Sequence, residues 1–102
     1  MSQEIFINQS AIVTGAGVGI GYEVARQLAL GGASVLLNDL DAELAQRAAQ
    51  AITSEGGICQ GIGGDVADVE TVRGLVKKAV NLFGRLDIAV ANAGLTLWAD
   101  FF

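Results

Sequence analysis

Residues 14–21, Thr-Gly-Ala-Gly-Val-Gly-Ile-Gly, follow an apolar run at residues 11–13 and lead into an amphipathic helical pattern. A strand, a glycine-rich loop and a helix start are therefore predicted in succession. Peptide N–H groups at a helix start carry partial positive charge, and glycine lets an anion approach them without side-chain clashes. Gly15, Val18, Gly19, Ile20 and Gly21 are thus candidates for holding the diphosphate of a dinucleotide. A plain strand-to-helix connection has the same composition, so residues further along the chain must separate the two readings.

A carboxylate at the end of the second predicted strand favours the dinucleotide. Asp39 lies 18 residues beyond Gly21, where a carboxylate can accept hydrogen bonds from both hydroxyls of an adenine ribose. It selects against a 2′-phosphate, and neither the glycine loop nor Leu40 supplies a base to neutralise one. We therefore predict NAD rather than NADP as the cofactor. The alternative, that Asp39 is a solubilising turn residue as Asp41 is expected to be, stays open here.

Four short apolar runs alternate with three helical patterns, which is typical of a parallel α/β sheet. The runs lie near residues 11–14, 34–39, 58–62 and 86–92. Asp41 and Asp68 lie at N-cap positions, and glycines at 31–32, 56–57 and 84 lie where helices should end. Apolar residues three or four apart predict the inner helix faces: Ile20, Val24 and Leu28; Leu44, Ala48 and Ile52; Val69, Val72, Val76, Val80 and Phe83.

Right-handed crossovers between parallel strands predict the strand order 3-2-1-4. The first two helices should cover one face of the sheet and the third helix the other. The crevice between strands one and four is then the switch point, where ligands of open α/β sheets bind at the carboxyl ends of the strands. Residues 1–102 are expected to form one unit without a second domain or repeat.

Composition argues against several other functions. The chain has six Lys and Arg residues and eleven Asp and Glu residues, which gives a formal charge of −5. This charge disfavours nucleic acid as a partner. No stretch is long and apolar enough to span a membrane and the first residues carry no base, so we expect a cytoplasmic chain. Cys59 is the only cysteine and histidine is absent, so neither an intrachain disulfide nor a metal site is predicted, and Cys59 is expected in the core. The lack of Gly-Lys-Ser/Thr excludes a phosphate-loop NTPase.

Two further segments follow predicted strands three and four: Asp65-Val66 and residues 91–94, Ala-Asn-Ala-Gly. Together with Thr-Gly-x-x-x-Gly-x-Gly and the acid ending strand two, they resemble the short-chain dehydrogenase/reductase family over roughly residues 5–97. The resemblance implies a partial Rossmann fold, a doubly wound sheet with helices on both faces. It also implies that Asp65 accepts a hydrogen bond from the adenine amino group, that the amide of Val66 meets the ring, and that Ile20 covers the diphosphate.

The same resemblance assigns the end of strand four to the ribose. Asn92, Ala93 and Gly94 would line it with backbone atoms, while the Asn92 side chain would tie neighbouring strands together. Many members carry a second asparagine where this chain has Ala91. We expect this departure to remove one hydrogen bond without abolishing binding.

The family's catalytic chemistry needs a tyrosine and a lysine four residues apart. The only tyrosine is Tyr22, and its fourth neighbour is Arg26, so no catalytic residue is predicted. The chain is expected to be the cofactor-binding, amino-terminal portion of an NAD-dependent oxidoreductase that moves hydride to or from a carbonyl or secondary alcohol, and to be inactive alone. The alternative is a stand-alone nucleotide-binding or assembly module. A methyltransferase shares the glycine loop and acid, but Thr14-Gly15 and the Asn-Ala-Gly segment disfavour it.

Strand four is apolar on both faces and has no predicted neighbour on its far side. Trp98, Phe101 and Phe102 crowd the last five residues, and we interpret them as core residues without their complement. An exposed strand edge and a bare sheet face favour association. We therefore predict self-association through the strand-four edge and the uncovered face.

Overall fold

The computed structural model describes residues 5–92 as a parallel sheet with helices on both faces. In chain order the elements are β1 (Ser10–Thr14), α1 (Gly19–Leu30), β2 (Ser34–Asp39), α2 (Ala42–Ser54), β3 (Ile58–Gly63), α3 (Val69–Phe83) and β4 (Ile88–Ala91). The sheet order β3-β2-β1-β4 confirms the predicted topology. The last strand, Ile88–Ala91, is shorter than the predicted run at residues 86–92. Just before it, the Asp87 carboxylate accepts a hydrogen bond from the Ser10 amide, and the Asp87 amide donates to the Ser10 carbonyl oxygen. Residues 93–102, with Trp98, Phe101 and Phe102, lie outside the described residues.

The carboxyl ends of the strands lie in register. Thr14 pairs with Ala91 and Asp39 pairs with Gly63. All four strands are parallel, so the segments that follow them leave the sheet at one edge. We call this the carboxyl edge, and every described candidate site residue lies on it, in the loops that extend from it or in the first turn of α1.

Two apolar clusters fill the two faces of the sheet and confirm the predicted placing of the helices. Side chains of β1, β2 and β3 pack with α1 and α2 on one face, which we call the α1–α2 cluster. On the other face lies the α3-side cluster, which consists of Ile12, Leu36, Val66, Val72, Leu75 and Ala79. The first cluster consists of Ala11, Val13, Ala16, Ala25, Leu28, Ala29, Ala33, Val35, Leu37, Ala45, Ala48, Ala49, Ile52 and Cys59. Cys59 is therefore the core residue that was predicted, and burial raises the pKa of its thiol to about 12.

The predicted inner faces of the helices were correct only in part. Leu28, Ala48, Ile52 and Val72 are buried, whereas Ile20, Val69 and Val80 are exposed. The exposed residues lie at the margins of the true stripes, which run through Gly21, Ala25, Leu28 and Ala29 in α1 and through Val72, Leu75 and Ala79 in α3. Val24, Leu44, Val76 and Phe83 are half-buried.

Close contact between backbones explains why three of the four buried residues of α2 are alanines. A Cβ atom on Gly61 would overlap the carbonyl oxygen of Ala45, and one on Gly63 would lie 2.5 Å from the Cβ of Ala42. The helix therefore rests directly on β3, with no room for a leucine between them.

The helix boundaries follow the predicted caps. Asp41 accepts hydrogen bonds from the amides of Glu43 and Leu44, at 3.0 and 3.2 Å, and Asp68 accepts one from Glu70 at 2.9 Å. Gly84 ends α3 in the left-handed conformation, with φ at 82°. Among residues 5–92, no helix is long and apolar enough to cross a membrane. Within the same span, no group of three or more His, Cys, Asp or Glu residues is placed to hold a metal ion.

Candidate functional site

The glycine loop between β1 and α1 uses its glycines for different purposes. Gly15 and Gly19 have φ angles of 61° and 69°, which side-chain-bearing residues rarely adopt. Gly21 permits close packing instead, because a Cβ there would lie 2.5 Å from the carbonyl oxygen of Gly15. At Gly19 a Cβ would meet nothing within 4 Å, so the backbone of the loop faces open space at the start of α1.

The start of α1 differs from the starts of the other two helices. Its N-cap, Val18, makes no side-chain hydrogen bond, and no acid lies in its first turn. The helices α2 and α3 are capped by Asp41 and Asp68, and each carries a glutamate in its first turn. The first N–H groups of α1 therefore keep their affinity for an anion.

The Asp39 carboxylate lies beside this loop and is held by backbone donors. Its Oδ2 accepts a hydrogen bond from the Gly17 amide at 2.9 Å, and its Oδ1 accepts one from the Asp41 amide at 3.1 Å. Gly17 leaves room for the contact, since a Cβ there would lie 2.8 Å from the same Oδ2. The structure thus brings the two sequence-predicted parts, loop and acid, into direct contact.

Three large apolar side chains are exposed at the same edge of the sheet. Val18, Ile20 and Leu40 have exposed fractions of 63%, 79% and 73%. Val18 and Ile20 belong to the glycine loop and the first turn of α1, and Leu40 follows Asp39. Apolar groups exposed together around polar donors are typical of a ligand-binding surface.

The turn after β3 places Asp65 and Val66 on the next part of the carboxyl edge. The Asp65 Oδ1 accepts a hydrogen bond from the Ala67 amide at 2.9 Å. Val66 is 7% exposed and its side chain packs in the α3-side cluster, so only its backbone is available to a ligand. The Gly64 amide donates to the Asp39 carbonyl oxygen at 3.1 Å, which ties this turn to β2.

Asn92 closes the site from the β4 side. Its amide donates to the Thr14 hydroxyl and its side-chain Nδ2 to the Gly15 carbonyl oxygen, both at 3.1 Å. These hydrogen bonds tie the end of β4 to the last residue of β1 and to the first residue after it. Ala93 and Gly94 lie outside the described residues.

Two residues that contribute to this arrangement were missed among the sequence-predicted site residues. Gly17 holds Asp39, and Asn38, 1% exposed, donates to the turn after β3. The signal for Asn38 was a polar residue near the end of an otherwise apolar strand, Ser34–Asp39.

Tyr22 and Arg26 have other roles than a catalytic pair. Tyr22 is half-buried against the α1–α2 cluster. The Arg26 guanidinium donates to Glu55 and Glu23, with an Nη2 to Oε1 distance of 2.9 Å to Glu55. The Glu55 carboxylate raises the pKa of Arg26 above its ordinary value.

The chain matches the family described as short chain dehydrogenase over residues 9–101. It belongs to that family, whose members are oxidoreductases that use NAD or NADP. It is 45% identical over 96 residues to an uncharacterized oxidoreductase of Thermotoga maritima, covering 93% of this chain and 37% of that protein. It is 39% identical over 90 residues to cyclohexanol dehydrogenase of an Acinetobacter species, covering 88% and 36%.

A solved structure shares the fold. The crystal structure of hydroxysteroid dehydrogenase from Escherichia coli superposes with a TM-score of 0.85 at 35% identity, covering 89% of this chain and 39% of that one. The chain spans about a third of the length of the curated relatives it matches.

Proposed function

We propose that this chain is the NAD-binding portion of a dehydrogenase that moves hydride to or from a carbonyl or secondary alcohol. One observation carries the proposal: the uncapped start of α1 lies next to a carboxylate, Asp39, that the loop itself holds through the Gly17 amide. A diphosphate needs the first feature, and an adenine ribose with two free hydroxyls needs the second.

The residues present fit a dinucleotide. The first-turn N–H groups of Gly19, Ile20 and Gly21 would hold the diphosphate, because no acid in that turn repels it. The open space above Gly19 leaves room for its approach. The exposed side chains of Ile20 and Leu40 would be covered when the ligand binds, which gives their exposure a physical reason.

Asp39 supports NAD over NADP. Two unit charges about 4 Å apart repel by roughly 1 kcal/mol in water and about 4 kcal/mol near a protein surface. A 2′-phosphate beside this carboxylate would therefore bind at least several-fold more weakly than a 2′-hydroxyl, which donates to the carboxylate instead. Neither Leu40 nor the loop offers a cation in compensation.

The remaining site residues would hold the adenosine. Asp65 would accept from the adenine amino group and the Val66 amide would meet the ring, since the Val66 side chain points into the core. Asn92, with Ala93 and Gly94, would line the ribose. Bound NAD supplies the hydride acceptor, and the 102 residues contain no Tyr-x-x-x-Lys pair to move the substrate proton. The chain alone is therefore expected to bind NAD without turnover.

Calorimetric titration of NAD and NADP into the wild type and Asp39→Ala tests the proposal. Glu43→Ala is the matched control, because it removes the same charge from a nearby carboxylate whose side chain is 81% exposed. We expect the wild type to prefer NAD by about tenfold, Asp39→Ala to lose that preference, and Glu43→Ala to retain it. Equal affinities in the wild type and Asp39→Ala would remove Asp39 from the site, and a wild type that binds neither dinucleotide would refute the function.

A further inference from the structure

Asn38 is a buried polar residue at the end of β2, next to Asp39. Its exposed fraction is 1%, and its Nδ2 donates to the carbonyl oxygens of Ile62 at 3.2 Å and Gly64 at 3.3 Å. Leu36, two residues earlier and so on the same face of the strand, packs in the apolar α3-side cluster. Burying an amide in such surroundings costs free energy unless hydrogen bonds within the protein replace those it made to water.

The amide reaches across the point where β3 ends and its chain turns. Gly64 follows the last residue of β3 and has a φ of 152°, a conformation that favours glycine. Regular sheet pairing between β2 and β3 stops at Asp39 and Gly63. The Asn38 side chain therefore bonds the residues on either side of Gly63, the last paired residue of β3, and so fixes the backbone just before Asp65.

The same residue also holds the glycine loop. The Asn38 carbonyl oxygen accepts from the Ala16 amide at 2.9 Å. The neighbouring residue, Asp39, also bonds both segments. Its carboxylate accepts a hydrogen bond from the Gly17 amide in the glycine loop, and its carbonyl oxygen accepts one from the Gly64 amide after β3. The last two residues of β2 thus connect the loop proposed for the diphosphate with the turn proposed for the adenine.

We propose that Asn38 is a positioning residue for adenine recognition: its buried amide fixes the turn after β3 so that the Asp65 carboxylate meets the base. The inference rests on the proposed function and deepens it. Asp65 Oδ1 is occupied by the Ala67 amide, and among residues 5–92 its Oδ2 has no hydrogen-bond donor, so Oδ2 can accept from the exocyclic amino group. A displaced turn would weaken that hydrogen bond and leave the contacts to the diphosphate intact.

Titrations with NAD and nicotinamide hypoxanthine dinucleotide test this role, because the second compound carries an oxygen where adenine carries its amino group. The wild type is expected to prefer NAD by about tenfold, the size of a hydrogen bond to a charged group. In Asn38→Leu, which keeps the branched shape of the side chain and loses the donors, the preference should fall below about twofold. The control is Asn81→Leu, at an exposed position of α3, which should keep the tenfold preference.

The ratio of the two affinities separates positioning from general support of the fold. A merely structural role would weaken both dinucleotides equally and leave the ratio unchanged, and that result would overturn the inference. Asn38→Ala, which cannot overpack, is measured alongside, and loss of folding in both variants, monitored by circular dichroism, would also overturn it. A wild type that binds both dinucleotides equally refutes this inference alone, whereas one that binds neither refutes the proposed function as well.

Discussion

Replacing Gly21 by alanine should destabilise the protein through one close contact. The added Cβ would lie 2.5 Å from the Gly15 carbonyl oxygen, 2.9 Å from the Asn92 Nδ2 and 3.1 Å from the Ala16 Cα. Two of these three are backbone atoms that cannot rotate away, so α1 must move off the loop. Overpacking of this kind costs about 1–3 kcal/mol, while alanine returns at most about 1 kcal/mol of helix propensity. Because the Cβ would meet three atoms at once, the cost should lie at about 2–3 kcal/mol, the upper part of that range, and the net loss in unfolding free energy should be about 1–2 kcal/mol.

Gly74→Ala is the matched control with the opposite expected sign. Gly74 lies inside α3, and a Cβ there would meet nothing within 4 Å. The substitution should therefore raise the unfolding free energy by roughly 0.5–1 kcal/mol through propensity alone. Both variants gain the same helix propensity, so the difference between their unfolding free energies measures the effect of packing at Gly21.

Thermal and urea unfolding followed by circular dichroism measure both variants. For a domain of this size, 1 kcal/mol corresponds to about 4–8 °C in Tm. We expect Gly21→Ala to melt roughly 4–15 °C below the wild type and Gly74→Ala to melt several degrees above it. If Gly21→Ala is as stable as Gly74→Ala, the close seating of α1 on the glycine loop is wrong, and with it the geometry assigned to the start of that helix.

Three further outcomes are expected. Cys59 should resist iodoacetamide at neutral pH until urea unfolds the chain, because burial raises the pKa of its thiol to about 12; rapid labelling of the native protein would place it outside the core. The Arg85 guanidinium and the Ser10 amide lower the pKa of Asp87, so its stabilising effect is complete above the unfolded pKa, near pH 4, and is lost as the pH falls through the folded value. Wild type should therefore lose more stability than Asp87→Asn between about pH 5 and 3. Equal losses in the two proteins would show that the interactions of Asp87 with Arg85 and Ser10 do not contribute to the unfolding free energy. Light scattering at micromolar concentration should show self-association through the β4 edge, and a monodisperse monomer would contradict that prediction.

The strand order and the sides taken by the helices could be predicted from the sequence because crossover handedness leaves few arrangements. The inner faces of the helices could be predicted only in part, because apart from Ala48 the residues taken as buried were large apolar ones. Ile20 was placed on the inner face of α1, yet it is 79% exposed beside the glycine loop. Most buried residues of α2 are alanines such as Ala45, because Gly61 lets the helix backbone contact β3 directly. The spacing of large apolar residues in the sequence carries no information about the distance between the helix and the strand.

Motifs in the sequence mark the candidate site residues at the glycine loop, Asp39, Asp65 and Asn92, and the structure places these residues on the carboxyl edge. The supporting contacts are not marked in this way. The hydrogen bond from Gly17 to Asp39 joins residues 22 positions apart, and the hydrogen bonds from Asn38 join residues 24 and 26 positions apart. Such contacts depend on how closely the loops fold back on the sheet, which no spacing of residue types specifies.

The glycines of β3 bear on how rigid the carboxyl edge is before any ligand arrives. Gly61 and Gly63 are in direct contact with α2, β3 is paired with β2, and the link through Leu40 and Asp41 joins β2 to α2. Such close packing would leave little conformational freedom to be lost there on association, so the ordering part of the free-energy cost of binding would be small. A ligand would therefore bind at the carboxyl edge without a large change in the backbone conformation of β3 and α2.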